Sequence, residues 1–174
     1  MKRLMTLFVG ICLFSLYAVA GSNISVVQGD KKFFKNALGK AVLEFVWDGA
    51  TYDRKDPLKN HITDLDQLKP IAKSGFTETF NEKCKTVKIV EGAKDADYKF
   101  TMQVKNMDRY VKVMGWVPGP ATKVWGTLTI TDLKTGNVCV VIEVNEVDGG
   151  ANPSPVESFS DCFEELAKQV AKLK

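Results

Sequence analysis

Along residues 98–105 apolar and polar side chains alternate one by one, with Tyr98, Phe100, Met102 and Val104 set against Lys99, Thr101, Gln103 and Lys105. Successive side chains of a strand point to opposite sides, so the pattern predicts a strand over Tyr98 to Met107 with one buried and one wet face. Ala41 to Trp47 (AVLEFVW) is rich in β-branched and aromatic residues and predicts a second strand, closed by Asp48-Gly49. Val87 to Val90 predicts a short strand and Thr122 to Asp132 a longer one. Val138 to Val147 is apolar on both sides for most of its length, which suits a central position. Between the last two strands, Asp132-Leu133-Lys134-Thr135-Gly136-Asn137 is a hairpin connection in which Gly136 can take positive φ.

Two segments carry the helical period instead. In Pro70 to Cys84, the residues Ala72, Phe76, Phe80 and Cys84 recur every four positions, and Pro70 suits a first helical position. Gly75 costs about 1 kcal/mol relative to Ala in a helix interior, which leaves a start after it open. The closing helix has stronger signals. Ser154 is the N-cap candidate, Pro155 fits the first position, and Glu157 completes a Ser-x-x-Glu capping box. Val156, Phe159, Phe163, Leu166, Val170 and Leu173 form its apolar stripe, with Cys162 at the edge. Thr51 to Asp66 reads as a polar stretch with a turn at Asp56-Pro57. The three late strands predict an antiparallel meander, and the early strand-helix-strand unit can run parallel. The fold class expected from this order is α+β: a two-layer sandwich whose mixed, mostly antiparallel sheet has about five strands, with two main helices packed on one face.

The amino-terminal end changes the picture of where the chain works. After Lys2 and Arg3, the run from Leu4 to Leu16 is apolar and leads into Ala18-Val19-Ala20. This is the three-part pattern of a cleavable signal peptide over residues 1–20, and the apolar run is shorter than the about 20 residues a membrane span needs. Ile11 stands before Cys12 where a lipid-attachment signal would place a small residue. The expectation is a single domain over residues 21–174, periplasmic or secreted. The leader holds two of the 24 Lys and Arg residues and none of the 21 acidic ones, so what remains is close to neutral. With no dense basic block, nucleic acid is excluded as a partner.

Several stretches together resemble a known group. They are Val26-Val27-Gln28-Gly29-Asp30, the strand ending Phe45-Val46-Trp47-Asp48, Ala96-Asp97-Tyr98, the segment Asp132 to Asn137, and the closing amphipathic helix. They resemble small secreted proteins of unknown function from Bacteroidetes-type bacteria. More distantly, the second half is similar to the α/β domain of the TolB amino-terminal region and of curli-secretion lipoproteins. The resemblance implies a fold and an envelope setting, and no catalytic residue.

Candidate chemistry is sparse. His61 is the only histidine, and no Cys-x-x-Cys or Cys/His cluster exists, so neither a metal site nor a cofactor is expected. Acidic residues gather between Asp48 and Asp66, but their spacing matches no calcium loop, and Arg54, Lys55 and Lys59 dilute the charge. Glu143 stands in an otherwise apolar strand, with its exposed-face placement the simpler reading. Cys84 and Cys162 lie on predicted sheet-facing helix surfaces and are candidates for a disulfide, or for two small buried thiols. The segment Arg109 to Ala121 is unexpectedly apolar for a connection, and Tyr110, Met114, Trp116 and Val117 are its candidate contact residues. Its alternative is a long hairpin that continues the flanking strands, with Trp116 folded onto the core. The expected function is a non-enzymatic exported domain acting by contact with an envelope or secreted protein. The alternative is a carrier for a small apolar ligand. A carrier needs an enclosed apolar pocket, and a contact protein needs an exposed patch or sheet edge.

Overall fold

The computed structural model of the protein describes residues 23–92, 94–114 and 117–173, and the backbone alone at Met114 and Val117. The expected signal peptide, residues 1–20, lies outside the described residues. The elements in chain order are β1 (Ile24–Gly29), α1 (Phe33–Asn36), β2 (Gly39–Val46), β3 (Thr51–Tyr52), β4 (Asp56–Pro57), a 3-10 turn (Leu58–Asn60), α2 (Leu65–Lys83), β5 (Val87–Ile89), β6 (Tyr98–Met114), β7 (Val117–Asp132), β8 (Val138–Ala151) and α3 (Pro155–Ala171). The strands form one eight-stranded sheet in the order β1-β8-β7-β6-β2-β5, with β3 joined to β6 and β4 to β3. Strand β2 runs parallel to β5 and to β6, while β6, β7, β8 and β1 are successively antiparallel.

This overturns the expected architecture. In place of a two-layer α+β sandwich with about five strands, the protein is mostly β, with an eight-stranded mixed sheet and two main helices. The strands that the sequence pattern concealed are β1, β3 and β4. Strand β1 lies at the sheet's edge and is exposed from Val27 onward, so its sequence carries no clean alternation. Strands β3 and β4 are two residues each, too short for any period, and Asp56-Pro57 lies within β4 rather than in a turn. The parallel β2–α2–β5 unit and the antiparallel meander of β6, β7 and β8 are present.

Helix α2 begins five residues earlier than its period suggested and carries Pro70 inside it. Pro70 is exposed and close to the amino-terminal end, where a missing N–H costs one solvent-side bond rather than a buried one. Gly75 is buried, and a Cβ there would lie 2.9 Å from Ser160 Oγ on α3, so this glycine brings the two helices together. Helix α3 matches its sequence signals: Ser154 Oγ accepts the Glu157 N–H, and Phe159, Phe163, Leu166 and Val170 are fully buried. Cys162 is fully buried as well, inside the stripe and not at its edge.

The core lies between these helices and the inward side chains of the sheet. Phe34, Phe76, Phe80 and Phe100 pack edge to face or stacked, and Phe45, Trp47, Phe159 and Phe163 make a second aromatic group beside them. Such rings supply large buried area together with specific geometry. In β6 the alternation is as the sequence expects up to Val104, and then Lys105 is extruded as a bulge between Val104 and Asn106. In β8, Asn145 and Glu146 face Trp125 across the ladder, and Glu146 adopts φ 58°. One extra residue reverses which face later side chains take. The inward residues are therefore Phe100, Met102 and Val104 before the bulge and Met107 after it, and likewise Val140, Ile142 and Val144 before Val147.

Beyond the bulges β8 passes under the middle of α3 at Gly149. A Cβ on Gly149 would run into the backbone of Asp161 and Cys162, atoms that cannot move aside independently of the helix. Gly149→Ala is expected to destabilise the fold by about 2–3 kcal/mol through overpacking. The check is a lower urea midpoint at unchanged slope. An unchanged midpoint would contradict the close approach of β8 to α3.

Candidate functional site

The apolar segment 109–121 is a hairpin. Strand β6 continues to Met114 and β7 starts at Val117, and the two pair without interruption from Arg109↔Thr122 to Met114↔Val117. Gly115 and Trp116 lie outside the described residues, so the structure places of Trp116 only its neighbours. Met114 and Val117 form the last described cross-strand pair.

Tyr110 is not a free contact residue. Its hydroxyl donates to Asp148 Oδ2 at 2.6 Å, and Lys112 Nζ donates to the same oxygen at 2.8 Å. Asp148 Oδ1 accepts the Gly150 N–H at 2.7 Å. Lys123, ion-paired with Glu146, sits over the Tyr110 ring at 4.7 Å. These bonds tie the base of the hairpin to β8. Burial pushes the Asp148 carboxyl up, but the donors from Lys112, Tyr110 and Gly150 outweigh it and hold the group below the usual carboxylate range. Burial, then the hydrogen bond to Asp148, pushes the Tyr110 hydroxyl well above the ordinary tyrosine range.

The other face of the hairpin carries Arg109, Val111 and Val113 by strand period. The Arg109 guanidinium lies over the Phe159 ring at 5.9 Å, and its Nε and Nη2 are buried with no hydrogen-bond partner. Val111 and Val113 are 70% and 65% exposed. Val156, in the first turn of α3, is exposed too. Thr122 Oγ1 and Ser158 Oγ are 3.2 Å apart beneath them, both buried.

The remaining candidates have local roles. His61 stacks on Tyr52 at 4.6 Å and its Nε2 is 3.1 Å from Asp56 Oδ2. Asp53 pairs with Lys55 and Asp66 with Lys69. Among the described residues no group of three or more His, Cys, Asp or Glu could hold a metal ion. Cys84 and Cys162 are free buried thiols with separate partners: Cys84 Sγ is 3.6 Å from Thr86 Oγ1, and Cys162 Sγ donates to the Val147 carbonyl at 3.3 Å. Burial pushes the Cys162 thiol up. Cys139 is free and half-buried. Glu143 is half-buried and borders an open groove on the sheet surface away from the helices.

No family model matches the chain, and no curated protein matches it. Among solved structures, it is similar to the PelC dodecamer from Paraburkholderia phytofirmans at 16% identity and TM-score 0.46, covering 84% of this chain and 96% of that one. It is also similar to a neuraminyllactose-binding hemagglutinin homolog from Helicobacter pylori at 10% identity and TM-score 0.41, covering 90% of this chain and 88% of that one. A protein from Xanthomonas campestris is similar at 8% identity and TM-score 0.39, over 78% of this chain and 83% of that one. At these values the likenesses assign neither a family nor an activity. No helix among the described residues is long and apolar enough to cross a membrane.

The tyrosine makes the hairpin's anchorage pH-dependent at the alkaline end. An unfolded tyrosine titrates near pH 10, so above that the folded state holds a proton that the unfolded state has lost. Stability contributed by Tyr110 is full below about pH 10 and falls as pH rises. Asp148 acts at the other end: its contribution is present above about pH 4 and is lost as pH falls through its lowered folded value. Tyr110→Phe is expected to flatten the decline of Tm between about pH 9.5 and 11. Identical alkaline slopes in both proteins would remove Tyr110 from this role.

Proposed function

We propose that this chain is an exported, non-catalytic domain that works by protein–protein contact in the cell envelope, with the distal half of the β6–β7 hairpin as its contact element. The observation that carries the reading is the pair Val111 and Val113, both largely exposed on one face of a hairpin that outruns the rest of the sheet. The β7–β8 ladder ends at Ala121↔Ala151, the Asn152 N–H still bonds to the Pro120 carbonyl and Asn152 lies beside Gly119, and beyond Gly119 β7 and β6 form a two-stranded ribbon. Such ribbons are marginally stable alone and gain from being covered. The signal-peptide pattern of residues 1–20 supports export. The carrier alternative finds no support in the groove beside Glu143, which is open and lined mainly by polar side chains.

The test is capture from envelope extracts with the wild-type protein and with Val111→Asp/Val113→Asp. Both side chains are exposed, so the double variant is expected to hold its Tm within about 2 °C. It is also expected to lose the captured partner. Equal capture by the folded variant would overturn the hairpin as the contact element.

A further inference from the structure

The groove on the open side of the sheet lies directly over the line of bulges. It has a volume of about 330 Å³ and is bordered by Arg54, Lys105, Asn106, Trp125, Glu143 and Asn145. Lys105 is the extruded residue of β6, Asn145 belongs to the bulged stretch of β8, and Trp125 stands between them on β7. Arg54 reaches in from the β3–β4 turn and lays its guanidinium over the Trp125 ring at 5.2 Å.

Three observations distinguish this place from ordinary surface. First, the non-glycine residues with left-handed backbone among those described are Asp53, Arg54 and Glu146. All three belong to the segments that frame the groove, and such conformations cost energy unless the surroundings impose them. Second, a clamp built on the buried Asn106 imposes the first two. Asn106 is 4% exposed, and its Oδ1 accepts the Arg54 N–H at 2.7 Å and the Thr51 hydroxyl at 2.9 Å. Asp108 Oδ1 accepts the Asp53 N–H at 2.7 Å and an Asn106 Nδ2 hydrogen at 3.1 Å. Third, the charged groups so presented are left unengaged: the side chains of Lys105, Glu143 and Asn145 make no hydrogen bond or ion pair among the described residues, and the Arg54 guanidinium meets only the indole.

Two free cations, one free carboxylate and one free amide around a space at the lower end of small-molecule sites define a complementary ligand. Its carboxylate meets Arg54 and Lys105, its cationic group meets Glu143, and its net charge is negative. We propose that the groove binds a small zwitterion carrying carboxylate and ammonium groups, of the acidic α-amino-acid class. A bare dianion fits worse because Glu143 repels it, and an uncharged apolar molecule leaves all four polar groups desolvated. The same chemistry is offered by a free amino acid and by the amino-terminal acidic residue of a peptide. The site is separate from the hairpin face and stands or falls independently of it.

The experiment is titration of the protein with L-glutamate, followed by calorimetry and by amide chemical shifts. Glutarate, which lacks the ammonium, and the peptide Glu-Ala-Ala, which carries it at a chain end, are the parallel probes. Saturable glutamate binding is expected, with shifts confined to residues 51–54, 105–106, 125–126 and 143–145. Glutarate is expected to bind about tenfold more weakly, the loss of one charge-assisted hydrogen bond. Lys105→Gln and Glu143→Gln are each expected to weaken glutamate by a similar factor at unchanged Tm. Arg54→Gly is the decisive variant, because glycine relieves the left-handed backbone: Tm is expected to hold or rise while binding is lost. Tighter binding of the peptide than of glutamate would assign the chain-end source, and the reverse the free amino acid. Absence of saturable shifts, equal affinity for glutarate, or full binding by Arg54→Gly would each overturn the proposal.

Discussion

The structure depends on the bulges that cross the sheet at Lys105 and at Asn145–Glu146. Strand β7 runs between them, and at this line each flanking strand takes one extra residue, with β8 shifting register again opposite Ala121–Lys123 and Ile130–Thr131. The consequence is a change of face: in β6 the inward set passes from Phe100, Met102 and Val104 to Met107, and in β8 from Val140, Ile142 and Val144 to Val147. A bulge also bends its strand and increases its twist. At Gly126 a Cβ would collide with the Gln103 carbonyl and the Met102 side chain, so β7 needs glycine where its neighbour crowds it.

Everything of functional interest follows from that line. On its inner side, β8 carries Gly149 beneath α3, and β6 carries Arg109 to the Phe159 ring before leaving the helices behind. The hairpin then exposes Val111 and Val113, which have no helix left to cover them. On the outer side the extruded residues, with Trp125 and the strained β3–β4 turn, form the polar groove. The core continues past the bulges through Met107, Val124 and Val147, and only beyond Arg109 does the meander become available to partners.

The elements legible in the sequence were those with a sustained period or a local chemical signature. The alternation from Tyr98, the Asp132–Asn137 connection and the Ser154 cap are of this kind. In the connection, Asp132 Oδ1 accepts the N–H groups of Lys134 and Thr135, and Gly136 takes φ 73°. Non-local determinants were hidden. Strand β1 is a strand because β8 offers it an edge, and the two-residue β3 is one because it lies beside Asn106 and Met107. Pro70 looked like a helix start, yet burial of Leu65 and Leu68 draws the helix further back. The groove could not be read at all, since it joins Arg54 to Glu143 across the sheet. The one available hint was the breakdown of alternation at Asn106-Met107.

The account's central claim is that β6 has a part held by the core, through Met107, and a distal part that can open on its own. Native-state hydrogen exchange of the amides along β6 tests it most directly. Amides from Phe100 to Val104 are expected to exchange only through global unfolding, and those at Tyr110 and Lys112, which face β7, through a local opening of much lower free energy. Uniform protection of Phe100 to Val104, Tyr110 and Lys112 would contradict the division and, with it, the reading of the hairpin as an available surface.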